Sequence, residues 1–355
     1  MNQDHGVRLR DYRPEDEKAL AEGVADAQTR RFLPFSPSTA RGTAYAISSG
    51  TSDELMGGIG LDHVDAARSQ ATVSLWVGPW ARSRGIATAA LRAFSEQAFG
   101  TGLQRLELLI HWENPIAQRV ALAAGYTREG ERRGGLPNAS GGRDDVLVYA
   151  RLAGDSGEPG ERLIPDLPGG ELTDGVVTLR PLVLDDLDFY HGLHLLPEVV
   201  ASRVPPEPPT AEEMRRRCER ADAHWIGGSR AELVILDAAT GQRAGEIAFY
   251  YIEPMLGQAM IGYSMLPAFR GRGLVTRAAQ LVALWAFAET GIARLIAGTV
   301  RENLGSQRVL EKAGFHREGV MRSRLPGPAG TRVDDVQFVL LAEDLLQQVS
   351  DDATG

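Results

Sequence analysis

Residues 264–279 read SMLPAFRGRGLVTRAA, and residues 76–91 read WVGPWARSRGIATAAL. Each is the end of a short apolar run, then an Arg-x-x-Gly-x turn, then a helix opener. In the second stretch the turn is Arg82, Ser83, Arg84, Gly85, Ile86, Ala87 and Thr88; in the first it is Arg270, Gly271, Arg272, Gly273, Leu274, Val275 and Thr276. Such a turn suits an anion. The first N–H groups of a helix have no intrahelical acceptor, and the helix dipole favours negative charge there. Glycine lets the backbone come close to a ligand. The arginines offer charge-assisted hydrogen bonds. One such turn is weak evidence; two in one chain, each about 30 residues before an Asn-initiated helix, are strong.

Working outward, the whole chain repeats. VRLRDYRPEDEKAL at 7–20 matches VTLRPLVLDDLDFY at 177–190, each a strand, an acidic turn and a helix. ENPIAQRVALAAGYTREGERR at 113–133 matches ENLGSQRVLEKAGFHREGVMR at 302–322. The offset is 170 positions from Arg10 to Arg180, 188 from Gly85 to Gly273 and 189 from Gly125 to Gly314. The second copy therefore carries about 18 extra residues between its first helix and its glycine turn. This arm contains Pro205, Pro206, Pro208 and Pro209, then Thr210 and Glu213 at capping-box spacing. The stretch 154–175 is rich in Gly, Pro and acids and reads as a linker. Within it, LIPDLP at 163–168 is apolar enough to dock. The domains are expected at 1–153 and 176–350, and 355 residues suit two of them.

These motifs resemble the GNAT superfamily of N-acetyltransferases, in particular the branch that acetylates N-terminal alanines of ribosomal proteins. The resemblance covers both copies. It implies an α+β fold: two tandem domains, each a mixed, mostly antiparallel sheet flanked by helices and splayed to form a CoA cleft. It implies acetyl-CoA as co-substrate, with its pyrophosphate on the turns 82–88 and 270–276. Copy one matches the family loop through Arg82, Gly85 and Ala87; copy two has Val275 where the family has Gly or Ala. Asn114 and Asn303 resemble the residue that bonds the pantetheine arm, although an Asn at a helix start is also an ordinary N-cap. The strand ends at Val77-Gly78 and Met265-Leu266 supply the backbone N–H groups for the oxyanion.

The reaction implied is direct attack of a neutral amine on the thioester, after which the CoA thiolate takes a proton. Family members supply it from a Tyr seven positions after the Asn or a Ser three after it. Copy one has Ala121 and Ala117 there; copy two has Leu310 but keeps Ser306. That contrast and the full arm point to copy two as catalytic. The general base is open among Glu246, Glu253, Glu302 and Tyr263. Asp144, Asp145, Asp334 and Asp335 read mainly as loop-ordering carboxylates.

Composition narrows the class. The chain is 43% hydrophobic and 24% charged, with net charge −9, which argues against nucleic acid as a main partner. No apolar run reaches the roughly 20 residues of a membrane span, and the N-terminal stretch has no secretory h-region. One cysteine, Cys218 in a charged helical run, excludes a disulfide framework and reads as a structural thiol. His191 and His194 sit at i, i+3 with no third ligand in sight, so no metal is expected. A cytoplasmic enzyme is expected, its partners being acetyl-CoA and an amine. Copy one would stand in place of a second subunit, in a monomer or homodimer. The acceptor stays open among peptide N-termini, amino-sugar antibiotics and small metabolites, with specificity in the arm 191–232 and the loop 322–335. Rival readings are a non-catalytic acyl-CoA sensor or scaffold, a transferase with another acyl donor, and a chain whose active copy is the first.

Overall fold

A computed structural model describes residues 6–33, 39, 42–138, 140–203, 205–327 and 330–345. The ends of the two expected domains at 1–5 and 346–350, and part of the 322–335 loop, lie outside the described residues. The chain divides into two compact units, Met1–Glu161 and Arg162–Gly355.

The first unit runs β1 (Val7–Arg10), α1 (Glu17–Ala25), α2 (Ala27–Phe32), β2 (Ala44–Ser49), β3 (Leu55–Asp65), β4 (Gln70–Val77), α3 (Ile86–Gly100), β5 (Arg105–His111), α4 (Pro115–Ala123), β6 (Thr127–Pro137) and β7 (Arg143–Leu152). Its sheet has the order β1-β2-β3-β4-β5-β7-β6. The second unit runs β8 (Leu172–Thr173), β9 (Val177–Pro181), α5 (Leu187–His194), α6 (Pro197–Ser202), α7 (Ala211–Ile226), β10 (Arg230–Asp237), β11 (Arg243–Glu253), β12 (Gln258–Met265), α8 (Leu274–Glu289), β13 (Arg294–Val300), α9 (Leu304–Lys312), β14 (His316–Pro326) and β15 (Arg332–Leu341). Its sheet has the order β14-β15-β13-β12-β11-β10-β9-β8. Both units are thus α+β, with one mixed sheet flanked by helices.

In each sheet one pair is parallel, and it parts early. Strands β4 and β5 pair only over Gln70–Thr72 with Arg105–Glu107, although β4 continues to Val77. Strands β12 and β13 pair only over Gln258–Met260 with Arg294–Ile296, although β12 continues to Met265. Glycine on the neighbouring strand lets this end lie flat: a Cβ at Gly245 would come within 2.3 Å of the Ser264 carbonyl oxygen.

The turn between the first strand and first helix is built alike in both units. Buried Asp186 accepts two hydrogen bonds from Arg180 at 2.7 Å, one from Arg243 Nε at 2.7 Å and one from the Val183 N–H at 3.1 Å. Asp16 does the same work with Arg10 at 2.7 and 2.8 Å and the Arg13 N–H at 2.8 Å.

Core formation follows the periodicity. On α8 the positions Ala279, Val282, Ala283 and Ala286 are fully buried, and their small side chains let the helix lie close to the sheet, where Trp285 of the same helix meets Phe249 of β11. Among the described residues, helix α7 has no counterpart in the first unit. Its inward face is Met214, Cys218, Ala221 and Trp225, at helical spacing. Thr210 Oγ1 caps it through the Glu213 N–H at 3.1 Å, but the Glu213 carboxylate turns to Arg203 rather than closing the box. Ile164 and Leu167, within the stretch read as linker, are buried in the second unit's core, and Trp225 Nε1 donates to the Pro165 carbonyl at 2.9 Å. Among the described residues no helix is long and apolar enough to cross a membrane.

Candidate active site

In each unit the strand that continues past the parting of the parallel pair leads through a glycine turn into a helix start. Gly273 and Gly85 precede α8 and α3 with φ of 78° and 73°, a left-handed conformation that costs other residues energy. The first intrahelical bond of α8 is Arg277 N–H to Gly273 O at 3.2 Å, so the N–H groups of Leu274, Val275 and Thr276 precede it. In α3 it is Ala89 N–H to Gly85 O at 3.1 Å, which leaves Ile86, Ala87 and Thr88 in the same position. No side chain caps either start. A Cβ at Gly271 or Gly273 would meet nothing within 4 Å, so the ground over this turn is open. Donors facing open space at a helix start make an anion cradle. The Leu274 and Ile86 side chains are buried, so only their backbone can serve it.

The arginines of the turns are committed within their own units. Arg270 donates to the Met265 carbonyl at 2.9 Å through Nη2, and reaches Glu198 on α6 at 2.6 Å. Arg82 donates to the Val77 carbonyl at 3.2 Å and to Asp26 at the start of α2 at 2.5 Å. Arg270 therefore ties the splayed strand end to α6 and Arg82 ties it to α2, and each can turn to an anion only by giving up those bonds. Arg272 pairs with Asp237 at 2.6 Å, while Arg84 is exposed.

The strand ends need one correction. Leu266 N–H donates to the Ala244 carbonyl at 2.9 Å, and Gly78 N–H to the Met56 carbonyl at 2.8 Å. These two donors are spent on the sheet and cannot serve an oxyanion. Antiparallel pairing alternates, so the preceding residues, Met265 and Val77, turn their N–H groups away from that partner strand and into the splay.

In the second unit the splayed strand carries chemistry on both faces. Tyr263 points to the α8 and α9 side, where its hydroxyl meets Ser306 Oγ at 2.9 Å. Burial pushes the Tyr263 hydroxyl up to about 12, so it is a proton-bearing group across ordinary pH. Asn303 caps α9, its Oδ1 accepting the Ser306 N–H at 3.1 Å; Asn114 caps α4 through the Ala117 N–H at 3.2 Å. On the other face Glu246 lies opposite Ser264 in the register, under the arm. It is buried and paired with His194 Nε2 of α5 at 3.0 Å. Burial pushes this carboxyl up, but the His194 ring, Arg217 and the Tyr190 hydroxyl outweigh it and hold it down at about 2. A carboxylate that acidic is a poor proton acceptor by itself. Glu253 sits at the hairpin end of the sheet beside Gln258, away from the splay, and Glu302 is exposed.

The first unit has none of these pairs. Strand register puts Leu75 at the place of Tyr263 and Gly58 at the place of Glu246, and Ala117 stands for Ser306. Trp76 fills the arm face instead: a Cβ at Gly58 would come within 2.5 Å of its Nε1, and one at Gly23 within 2.2 Å of its ring. Trp76 is buried, with Tyr12, Leu20 and Leu33 packed around it.

Sequence reading missed the His194–Glu246 pair, because the two residues are 52 positions apart and the histidine was weighed only as half of a metal pair. It also missed the Trp76 plug, although the glycine opposite Glu246 in the repeat was a usable signal. Asp145 and Asp334 prove equivalent, accepting the N–H groups of Gly134 at 2.7 Å and Ser323 at 2.9 Å where β6 and β14 bulge. Among the described residues no three metal-ligating side chains converge.

A profile described as Acetyltransferase (GNAT) domain matches residues 7–127 and 177–316, well over half of the chain. The "Probable N-acetyltransferase YjcK" of Bacillus subtilis (strain 168) is 33% identical over 156 residues, covering 44% of this chain and 82% of that protein. A GNAT-family acetyltransferase structure from Bacillus anthracis covers 49% of this chain and 99% of its own, at 23% identity and a TM-score of 0.43. The ribosomal-protein-S5-alanine acetyltransferase of Vibrio fischeri covers 49% and 98%, at 18% identity and a TM-score of 0.44. With a match in each unit, this chain belongs to the GNAT family of acetyl-CoA-dependent N-acetyltransferases and carries the domain twice.

Proposed function

We propose that the second unit transfers the acetyl group of acetyl-CoA directly to a primary amine, and that the first unit does not. The observation that carries this reading is the Tyr263–Ser306 hydroxyl pair beside the splay, set against Leu75 and Ala117 in the first unit. In this reading the N–H groups of Leu274, Val275 and Thr276 receive the pyrophosphate at the Gly271–Gly273 turn. Arg270 adds charge once the anion displaces its exposed partner Glu198, an ion pair worth little in water, while Arg272 adds its charge from its pair with buried Asp237. Asn303 faces the pantetheine arm from the start of α9. The Met265 N–H stabilises the oxyanion. Tyr263, with Ser306 behind it, gives the departing thiolate its proton. The amine enters on the opposite face, beside Ser264 and under the arm.

In the first unit the turn at Arg82, Arg84 and Gly85 keeps the same backbone donors. Ile86, Ala87 and Thr88 then hold CoA with Asn114 and Val77, but Trp76 closes the acceptor side. The boundaries 1–153 and 176–350 with a linker at 154–175 remain our sequence assignment.

Acetyl-CoA with a panel of peptide N-termini, polyamines and aminoglycosides, read by mass spectrometry, tests this. Acetylated product from the wild type, abolished in Gly273→Glu and kept in Gly85→Glu, is the expected result. Product lost only in Gly85→Glu assigns catalysis to the first unit. No product from any amine favours a sensor or scaffold.

A further inference from the structure

Resting on that reading, the geometry points to His194 as the general base for the amine, with Glu246 as the residue that positions it. His194 is 5% exposed and Glu246 6% exposed, on the arm face beside the splay. The chemistry of the ring is fixed from both sides. Arg203 Nη1 lies 3.3 Å from His194 Nδ1, and a guanidinium can only donate, so Nδ1 carries the lone pair. Nε2 then bears the hydrogen and lies 3.0 Å from Glu246 Oε1, an ion-pair contact without hydrogen-bond alignment. A carboxylate behind one nitrogen and a lone pair on the other is the arrangement in which an imidazole accepts a proton and the carboxylate stabilises the resulting cation.

Two further observations set this pair apart from an ordinary buried ion pair. Glu246 lies opposite Ser264 on the strand that splays, whereas Tyr263 points to the other face of that strand. Proton acceptor and proton donor thus flank the splay from opposite sides. The first unit has lost both pairs together: Gly58 and Val24 stand at the places of Glu246 and His194 in the repeat, and Leu75 and Ala117 at those of Tyr263 and Ser306.

The step balances as follows. Nδ1 takes one proton from the amine nitrogen, whose lone pair forms the bond to the thioester carbon. The carbon–sulfur bond breaks, and Tyr263 protonates the sulfur. His194 then releases its proton to solvent and Tyr263 regains one from solvent, which restores both groups. Arg203 covers Nδ1 in this structure and is itself held by the Glu207 carbonyl at 3.0 Å and the Glu213 carboxylate at 3.2 Å. The amine must displace it, so Arg203 gates the base.

The charged and titratable groups around the ring are Tyr190 on α5, Arg203, Arg217 on α7, Glu232 on β10, and Glu246 and Tyr250 on β11. Arg217 is spent on Glu232 and the Tyr250 hydroxyl, which leaves Glu246 and Arg203 as the two charges in direct contact. They pull in opposite directions.

The test uses the full chain, saturating acetyl-CoA and whichever panel amine the wild type acetylates, with kcat/KM followed against pH. His194→Gln is expected to lower kcat/KM for the amine by about a hundredfold or more, with acetyl-CoA affinity by calorimetry unchanged. Glu246→Gln is expected to move the acidic limb to lower pH by about one unit or more, and Arg203→Gln to move it to higher pH. A buried pair with a merely structural role predicts no such opposed shifts. Wild-type kcat/KM in His194→Gln, or an acidic limb that neither neighbour moves, overturns the assignment. A wild type that acetylates no amine overturns the transferase reading beneath it, a different outcome seen before any variant is made.

Discussion

Removing the Tyr263 hydroxyl isolates the proton that the leaving thiolate takes. In Tyr263→Phe the ring stays against the core and two hydrogen bonds to Ser306 are lost, one with Oγ at 2.9 Å and one to the carbonyl at 3.3 Å. Ser306 is half-exposed and can bond water instead, so the fold should lose only about 0.5–1.5 kcal/mol. Losing a general acid costs far more, roughly 10²- to 10⁴-fold in rate. At 1.36 kcal/mol per tenfold this is about 3–5 kcal/mol of barrier. Ser306→Ala should cost less, because the phenol itself remains. The double variant should be little worse than Tyr263→Phe, since both groups act on one proton and their effects are not additive. The assay is release of CoA thiol at saturating acetyl-CoA and amine, with KM for acetyl-CoA measured alongside. Because burial holds the Tyr263 hydroxyl near 12, no basic limb from it should appear between about pH 7 and 10. Wild-type turnover in Tyr263→Phe, or strictly additive losses, refutes the relay.

Two further predictions concern the scaffold. Asp186→Asn removes a buried carboxylate that serves two arginines and a backbone N–H, and should destabilise the second unit by about 3 kcal/mol, the low end for a broken buried pair because both guanidinium groups still reach water. Burial raises the Asp186 carboxyl, but Arg180 and Arg243 outweigh it and hold it below the ordinary carboxylate range; its stabilisation is therefore full above about pH 4 and lost as pH falls through the lowered value, and thermal melts of the variant should show a shallower acid slope. Burial pushes the Cys218 thiol up to about 12, so a disulfide dye should leave native protein unlabelled and react only after urea unfolds it; rapid labelling of native protein would contradict its packing against Met214 and Tyr190.

Repetition made most of the fold legible. Matching turns at Gly85 and Gly273 and matching helices at Asn114 and Asn303 located the splay and the helix starts, because these depend on backbone conformation that a few residue types dictate. Val177–Pro181 and the acidic turn after it were legible for the same reason. Side-chain partnerships across strands were not. Glu246 could be picked out as a carboxylate near the site, but its partner on α5 depends on how the arm folds over the sheet, which no local pattern encodes. The phase of the strand was also hidden. Leu266 and Met265 look equivalent in sequence, and only the pairing with Ala244 shows which N–H is free. The arm itself announced its helix through Thr210, but where the Glu213 carboxylate goes, to Arg203, is set by packing.

The central claim is that the second unit holds the acetyl donor at its glycine turn. Calorimetric titration of acetyl-CoA into wild type, Gly85→Glu and Gly273→Glu tests it, since a carboxylate at Gly273 enters the open space over the second unit's turn and Gly85→Glu makes the same change at the first. A Cβ at Gly273 meets open space, so the variant should fold, with a backbone cost of about 1–2 kcal/mol at its positive φ. Gly273→Glu is expected to abolish a binding event that Gly85→Glu leaves intact. Undiminished acetyl-CoA binding in a folded Gly273→Glu protein would contradict it.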